Sequence, residues 1–531
     1  MLKKLLFLIP LFFLVACAKR GTIYGGHKDT IPPVMKLSEP KNFSTQFKGN
    51  TIKLTFDEYV ILKDINKQLI VSPPMENTPE ITPSNASKVI TIKFKDTLLP
   101  NTTYSLNFGQ SIKDHNEGNP YNQFTYTFST GNYIDSLQLK GTIKDALEKK
   151  ADNFVSIMLY EINEKFNDSI IYNEKPRYVT NTLDSATSFT LENLKAGKYL
   201  LVALKDNNNN LKYDPKQEKI GFYNQAITLP DDAYYEIELF KEEIPFKANK
   251  PNQASGNRIT MGYEGNPKDL TVILKNGSDI LKSQVTQLPN KDSVQIWFPK
   301  IKTDSLALTA INGKYQKNFS VKIKDQKVDT LSISPTNSGN LHFRKDFSIK
   351  TSTPIASIDE TKITFTNKDS INVAYTLKRN DFNQEIIFDF KKEPLEKYKI
   401  TLLPDAITDI FGQKNDTLNF KFTTKNTTEY GNLIVKLENV KSFPIIVELT
   451  DDKGKVLASE YSHGESTINF FLLEPYLYSL RLIYDENKNK VWDSGNYLEK
   501  RQTEEVIYFP KVIDVRSNWD VEQPFTLPNP K

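Results

Sequence analysis

The sequence predicts an all-β chain of tandem β-sandwich modules, and three observations carry that expectation. The first is period-2 patterning. Ile52, Leu54 and Phe56 alternate with Thr51, Lys53 and Thr55; Ile90, Ile92 and Phe94 alternate with Thr91 and Lys93; Phe124, Tyr126 and Phe128 alternate with Thr125 and Thr127. Such alternation sends one face of each run into a core and the other toward water. The second is composition: 32 Phe and 25 Tyr, with many Thr, Ile and Val, favour strands over helices. The third is size. A chain of 531 residues with a single cysteine is long enough for several domains held by packed cores rather than disulfides.

The N-terminus stands apart. Met1-Leu2-Lys3-Lys4 is a short basic start, and Leu5 to Val15 is apolar except for Pro10. This run of about 11 residues falls short of the roughly 18–20 needed to cross a bilayer, so it has the dimensions of a signal peptide. Leu14-Val15-Ala16-Cys17 resembles the lipobox of bacterial lipoproteins. The resemblance implies cleavage of residues 1–16 and lipidation of Cys17, with 17–31 as a glycine-containing tether. Several acyl chains anchor stably where one does not. Position +2 is Ala18 rather than Asp, and Lys19-Arg20 follows. In lipoproteins this pattern implies the outer membrane, with the periplasmic face favoured over the cell surface.

Residues 32–131 hold the alternating strands above, spaced by turns such as Ser72-Pro73-Pro74 and Pro83-Ser84-Asn85. They are expected to form one sandwich of about 100 residues. The chain then repeats itself at long range. Tyr104, Ile112, Asp114, Gly118 and the strand ending at Thr130 are echoed by Tyr398, Ile407, Asp409, Gly412 and the strand ending at Thr424. A second pair matches 133–242 with 430–527: Gly197-Lys198-Tyr199 leads into Asp206, and Pro475 to Tyr478 leads into Asp485. Between them lies a middle β domain, 243–337, with strands near 293–298 and 305–309 and no duplicate; 338–425 is the degenerate copy of the first sandwich.

Segment 32–131, with Ile31-Pro32-Pro33-Val34 and Phe56-Asp57-Glu58, resembles the bacterial Ig-like domain first described in surface-layer proteins. Segment 338–425 resembles it more weakly, lacking Phe-Asp-Glu. The two other repeats resemble transthyretin-like or carboxypeptidase-regulatory sandwiches, and the whole resembles Ig-like-domain lipoproteins of Bacteroidota.

One motif points to a ligand. Asp206, Asn208, Asn210, Asp214 and Glu218 follow the spacing Asp-x-Asn-x-Asn-x-x-x-Asp-x-x-x-Glu, and Asp485, Asn487, Asn489 and Asp493 repeat it without the final acid. Alternate oxygens on a tight loop suit Ca²⁺, which takes six to eight oxygen ligands. The alternative is an Asx-turn connection, in which the same residues bond the local backbone. Leu211 stands where an EF-hand has its turn glycine, and Gln217 where it has its glutamate.

No catalytic set emerges. His27, His115, His342 and His463 are scattered, and no Gly-x-Ser-x-Gly elbow occurs. Asp57 and Glu58 are adjacent on a strand and face opposite sides. A net charge of +4 without a basic block argues against nucleic acid. The leading expectation is a non-enzymatic envelope lipoprotein: a rod of modules that spaces or docks other outer-membrane components, held to the membrane by its lipid and to an envelope protein partner. Two others stay open, a glycan or extracellular-polymer binding module using Trp297, Trp492 and Trp519, and an enzyme whose acids converge only in the fold.

Overall fold

The computed structural model describes residues 29–183 and 186–529, and within them the chain is almost wholly β. Its only α-helical stretches among the described residues are single turns, Ile65–Gln68 and Ile170–Asn173. Cys17 and the rest of the leader lie outside the described residues. The strands form five successive two-layer modules, so the expected fold class of tandem β-sandwiches holds.

In the first module, Thr51–Leu62 pairs with Met35–Glu39 on one side and Ser87–Lys93 on the other. The facing sheet is Ile70–Ser72, Thr103–Asn107 and Thr125–Ser129. Ile52, Leu54, Phe56, Ile90, Ile92, Tyr126 and Phe128 all point into the core between them, as the alternation requires. The alternation breaks at Asp57-Glu58. There the register of Thr51–Leu62 shifts, and its end pairs with Ile112–Asp114 on the side that Met35–Glu39 occupies earlier, while Val60 still pairs with Ser87 on the other. Asp57 fixes this bulge by accepting the Val34 N–H at 2.8 Å, while its own N–H donates to the Val34 carbonyl. The Phe-Asp-Glu signature is thus where one strand changes partners.

The fourth module repeats the design. Phe347–Thr351 and Ile355–Ile358 replace the two halves of the bulged strand, and Ile407–Asp409 pairs with the second half. Thr351-Ser352-Thr353-Pro354 occupies the place of Phe-Asp-Glu, which is why the signature is missing from this copy. Polar detail is duplicated as well. The Tyr104 hydroxyl accepts the Leu99 N–H and the Tyr398 hydroxyl accepts the Glu393 N–H, each at 2.8 Å. Asp114 receives the N–H groups of Glu117, Gly118 and Asn119, and Asp409 receives those of Phe411 and Gln413. Gly118 and Gly412 close these turns, both at φ 80°, where only glycine is unstrained.

Modules two and five share one topology. Each has a three-stranded sheet in which the last strand runs parallel to the first: Tyr234–Leu239 beside Leu137–Asp145, and Asp520–Thr526 beside Gly431–Glu438. Each faces a five-stranded sheet whose central antiparallel pair is Ser156–Glu161 with Gly197–Leu204, and Ile445–Thr450 with Tyr476–Tyr484. The Tyr199 hydroxyl donates to the Lys195 carbonyl and the Tyr478 hydroxyl to the Glu474 carbonyl, four residues back in both. The middle module, Lys247–Lys322, packs two sheets around Ile259, Met261, Ile296 and Leu308.

These modules do not form a straight rod. The fifth returns to pack against the second, burying Tyr497 among Met158, Tyr160, Val202, Phe222 and Phe240. Arg481, itself buried, pairs with Glu448 at 2.7 Å and donates to the Leu147 carbonyl of module two at 3.1 Å. The physical reason lies in module two: Ile157–Tyr160 and Tyr199–Leu204 are apolar on both faces, and the face outside the sandwich is covered partly by the module's own Ile171, Tyr213 and Phe240 and partly by Tyr497.

Candidate functional site

The first Asp/Asn loop joins Gly197–Leu204 to its antiparallel neighbour Ile220–Phe222, so its ends are pinned by a sheet. Asp206 opens it and accepts two loop N–H groups, from Asn210 at 3.2 Å and Leu211 at 2.8 Å. The Asn208 and Asn210 side-chain oxygens each accept the N–H two residues on, an Asx-turn in both cases. Asp214 accepts the Lys216 N–H at 3.0 Å and the Gln217 amide at 3.2 Å. Glu218 is fully buried and clasps the loop's two ends, taking the Asn207 N–H at 3.1 Å on one oxygen and the Asp214 N–H at 2.8 Å on the other. Burial raises its carboxyl above the usual carboxylate range. The two N–H bonds oppose that rise, and the Asp206 and Asp214 carboxylates add to it.

The second loop, between Tyr476–Tyr484 and Val506–Tyr508, is built the same way. Asp485 accepts the N–H groups of Asn489 at 3.1 Å and Lys490 at 2.9 Å. Asn487 and Asn489 again accept the N–H two residues on. Their amide groups donate to Asp493, each at 2.7 Å. Even the unusual backbone recurs: Asn209 and Leu211 have positive φ in the first loop, and Lys488 and Lys490 in the second. The missing acid is present. Glu504 takes the Glu486 N–H at 2.8 Å and the Asp493 N–H at 3.1 Å, the same two bonds that Glu218 makes. Its carboxyl too is raised by burial, with Asp493 and Asp485 nearby.

Counting forward from Asp485 misses Glu504, because the second loop reaches its glutamate nineteen positions on rather than twelve. The signal that finds it is position relative to the returning strand: Glu218 stands two residues before Ile220, and Glu504 two before Val506. In both loops the side-chain oxygens accept loop N–H groups, the bonding of an Asx-turn connection. Among the described residues, no group of three or more His, Cys, Asp or Glu is gathered to hold a metal ion.

The other singled-out residues are dispersed. Trp297 is fully buried and donates to Thr286 Oγ1 at 2.8 Å. Trp492 backs the second loop, its indole N–H donating to the Glu504 carbonyl at 3.1 Å. Trp519 is exposed, with the Arg516 guanidinium 5.3 Å from its ring. The three make no common platform. Asp57 is held below the usual carboxylate range, chiefly by the Val34 N–H, whereas burial pushes Glu58 above it, helped by the Asp114 carboxylate. A cleft of about 760 Å³ lies between modules one and two, lined by Asp206 and Asn209 to Lys212 from module two and by Ile65 to Lys67 and Leu69 to Val71 from module one.

The bulged strand, its Asp57 anchor and the Asp114 turn locate the one module with a family assignment. Residues 29–130 match the bacterial Ig-like domain. The bacterial Ig-like match thus covers the first sandwich and stops before the second. Comparison with curated proteins gives no match. Among solved structures the chain is similar to domains 1–6 of the surface-layer protein SbsC, at 12% identity over 91% of this chain and 67% of that one, with a TM-score of 0.16. It is also similar to tandem Ig repeats of Dlar, at 12% identity over 34% of this chain and 98% of that one, TM-score 0.13. A titin Ig tandem matches at 10% identity over 34% of this chain and 96% of that one, TM-score 0.14. The arrangement of modules rests on the contacts described above and on none of these.

Proposed function

We propose that this chain is a non-enzymatic lipoprotein of the bacterial cell envelope, similar to the Ig-like-domain lipoproteins of Bacteroidota. Its sandwich modules act as a spacer and docking scaffold for other outer-membrane components. The observation that carries the reading is the use made of the acids. Asp114, Asp206, Glu218, Asp409, Asp485 and Glu504 all hold backbone N–H groups of their own turns. Groups fixed in this way position loops, and a general acid or base needs a free side to meet a substrate. Leu14-Val15-Ala16-Cys17 supports attachment through acyl chains on Cys17, and Ala18-Lys19-Arg20 supports the periplasmic face of the outer membrane. No helix among the described residues is long and apolar enough to cross a membrane.

The test is recovery of the tagged full-length chain from cross-linked envelopes, read by mass spectrometry, beside protease treatment of intact cells. The scaffold reading expects outer-membrane proteins in reproducible amounts and a chain protected from external protease. Recovery of polysaccharide without protein would favour the glycan-binding alternative, and rapid loss to protease would place the chain on the surface.

A further inference from the structure

The second Asp/Asn loop is longer than the first by seven residues, because Ser494 to Thr503 stands where the first loop has Pro215 to Gln217; beside the bonds of Arg481 and Tyr508 to the Leu147 carbonyl, this stretch is what reaches module two. The Ser494 hydroxyl donates to the Lys241 carbonyl, and the Tyr497 N–H donates to the buried Glu242 carboxylate. Lys500 pairs with Asp168 at 2.6 Å, Gln502 donates to the Phe222 carbonyl and to Asn224 at 3.0 Å each, and Thr503 approaches Glu238 at 3.4 Å. The Tyr497 ring is fully buried, edge-on to Phe222 with centroids 5.3 Å apart. Gly495 passes so close to Phe240 that a Cβ there would lie 2.5 Å from the ring. The hairpin is closed on itself by the paired backbone bonds of Asn496 and Arg501. Glu504 and the strand Val506–Tyr508 then resume the pattern of the shorter loop.

We propose that Ser494–Thr503 is a latch: an insertion into an otherwise complete loop whose job is to seat in the apolar second face of module two and hold the chain folded back on itself. Tyr497 is the plug, Glu242 receives its backbone, and Lys500 and Gln502 secure the rim. Module five does not need the hairpin for its own sandwich, whose core lies among Leu433, Val447, Phe470, Leu480 and Phe525. With the latch seated the body is short; with it released, the same modules extend, and the Phe222 and Tyr172 rings on which Tyr497 packs are uncovered. A spacer built this way has two lengths. The inference goes beyond the scaffold reading and does not depend on the lipid anchor.

The single native cysteine makes the test clean. In the full chain carrying Cys17→Ala, which leaves no other thiol, Asn224→Cys and Gln502→Cys are joined by a short bis-maleimide, and the linked fraction is read by gel mobility. The latch predicts efficient linkage in that background and at least a tenfold slower reaction when Tyr497→Asp is added. A second variant deletes residues 495–501, restoring the twelve-position spacing of the first loop. It is expected to keep the parent's β-sheet circular dichroism and to elute with a larger hydrodynamic radius. Failure of the parent to cross-link, equal cross-linking with Tyr497→Asp, or an unchanged radius in a folded deletion variant would each overturn the latch. Collapse of module five on deletion would also overturn it, because the hairpin would then belong to the sandwich.

Discussion

Glu504→Ala removes a buried carboxylate that holds two backbone N–H groups, Glu486 at 2.8 Å and Asp493 at 3.1 Å, at opposite ends of the second Asp/Asn loop. Alanine offers neither group an acceptor. A stranded donor costs about 1–3 kcal/mol when fully buried, and less here because Glu486 is exposed and Asp493 half-buried, so that water replaces part of each bond. Against that, the ionised carboxyl is itself disfavoured by burial, and its removal relieves part of the cost. A net loss of about 1–3 kcal/mol follows for the closed loop, equivalent to opening roughly 5- to 150-fold more often. The loop spans residues between two strands of one sheet, so the loss is local and global unfolding is a poor readout in a chain of several modules. Hydrogen exchange read by mass spectrometry over 485–505 is the assay, with 206–218 as an internal control. Glu218→Ala is expected to mirror the effect in its own loop, since its two bonds are the same. Less than a threefold change at either site would refute the claim that these glutamates close the loops.

Two further outcomes follow from the same geometry. Because Glu218 and Glu504 are raised above their ordinary value of 4.5, the folded loops hold protons more tightly than the open ones. Their contribution is therefore greatest below about pH 4.5 and is lost as pH rises through the folded values, so loop opening corrected for intrinsic exchange should increase toward neutrality. Glu218→Gln and Glu504→Gln should flatten that slope in their own loops, and a slope of opposite sign would contradict the burial argument. Thermal melts of the chain in millimolar calcium and in excess chelator are expected to superimpose, because the loop oxygens are engaged by loop N–H donors. A calcium-dependent rise that disappears in Asp206→Ala or Asp485→Ala would instead establish both loops as calcium sites.

Much of the fold was legible because strand alternation is a local signal. Ile52, Leu54 and Phe56 declare their face without any knowledge of their partners. The long-range repeat was legible for a similar reason, since Tyr104 and Tyr398, or Asp206 and Asp485, occupy fixed places in local turns. The residues of the Asp/Asn loops left a turn and a calcium site as alternatives; the N–H donors show the turn bonding, and the melts with calcium and chelator decide between the two. Glu504 was hidden by an insertion that defeats counting along the chain. The folded-back arrangement depends on contacts hundreds of residues apart, such as Gln502 with Phe222, which no local pattern encodes. A trace did exist: Ile157 to Tyr160 and Tyr199 to Leu204 do not alternate, and an unbroken apolar run in a two-layer sandwich asks for a third layer.

The proposed role stands or falls first on attachment, and Cys17→Ala tests that directly. Cells expressing the full chain or the variant are fed a fatty-acid analogue, then fractionated into membrane and soluble envelope pools. A lipid-anchored scaffold predicts label on the parent alone, with the parent in the outer-membrane fraction and the unlabelled variant released from it. Equal labelling and equal membrane retention of the two proteins would contradict the account.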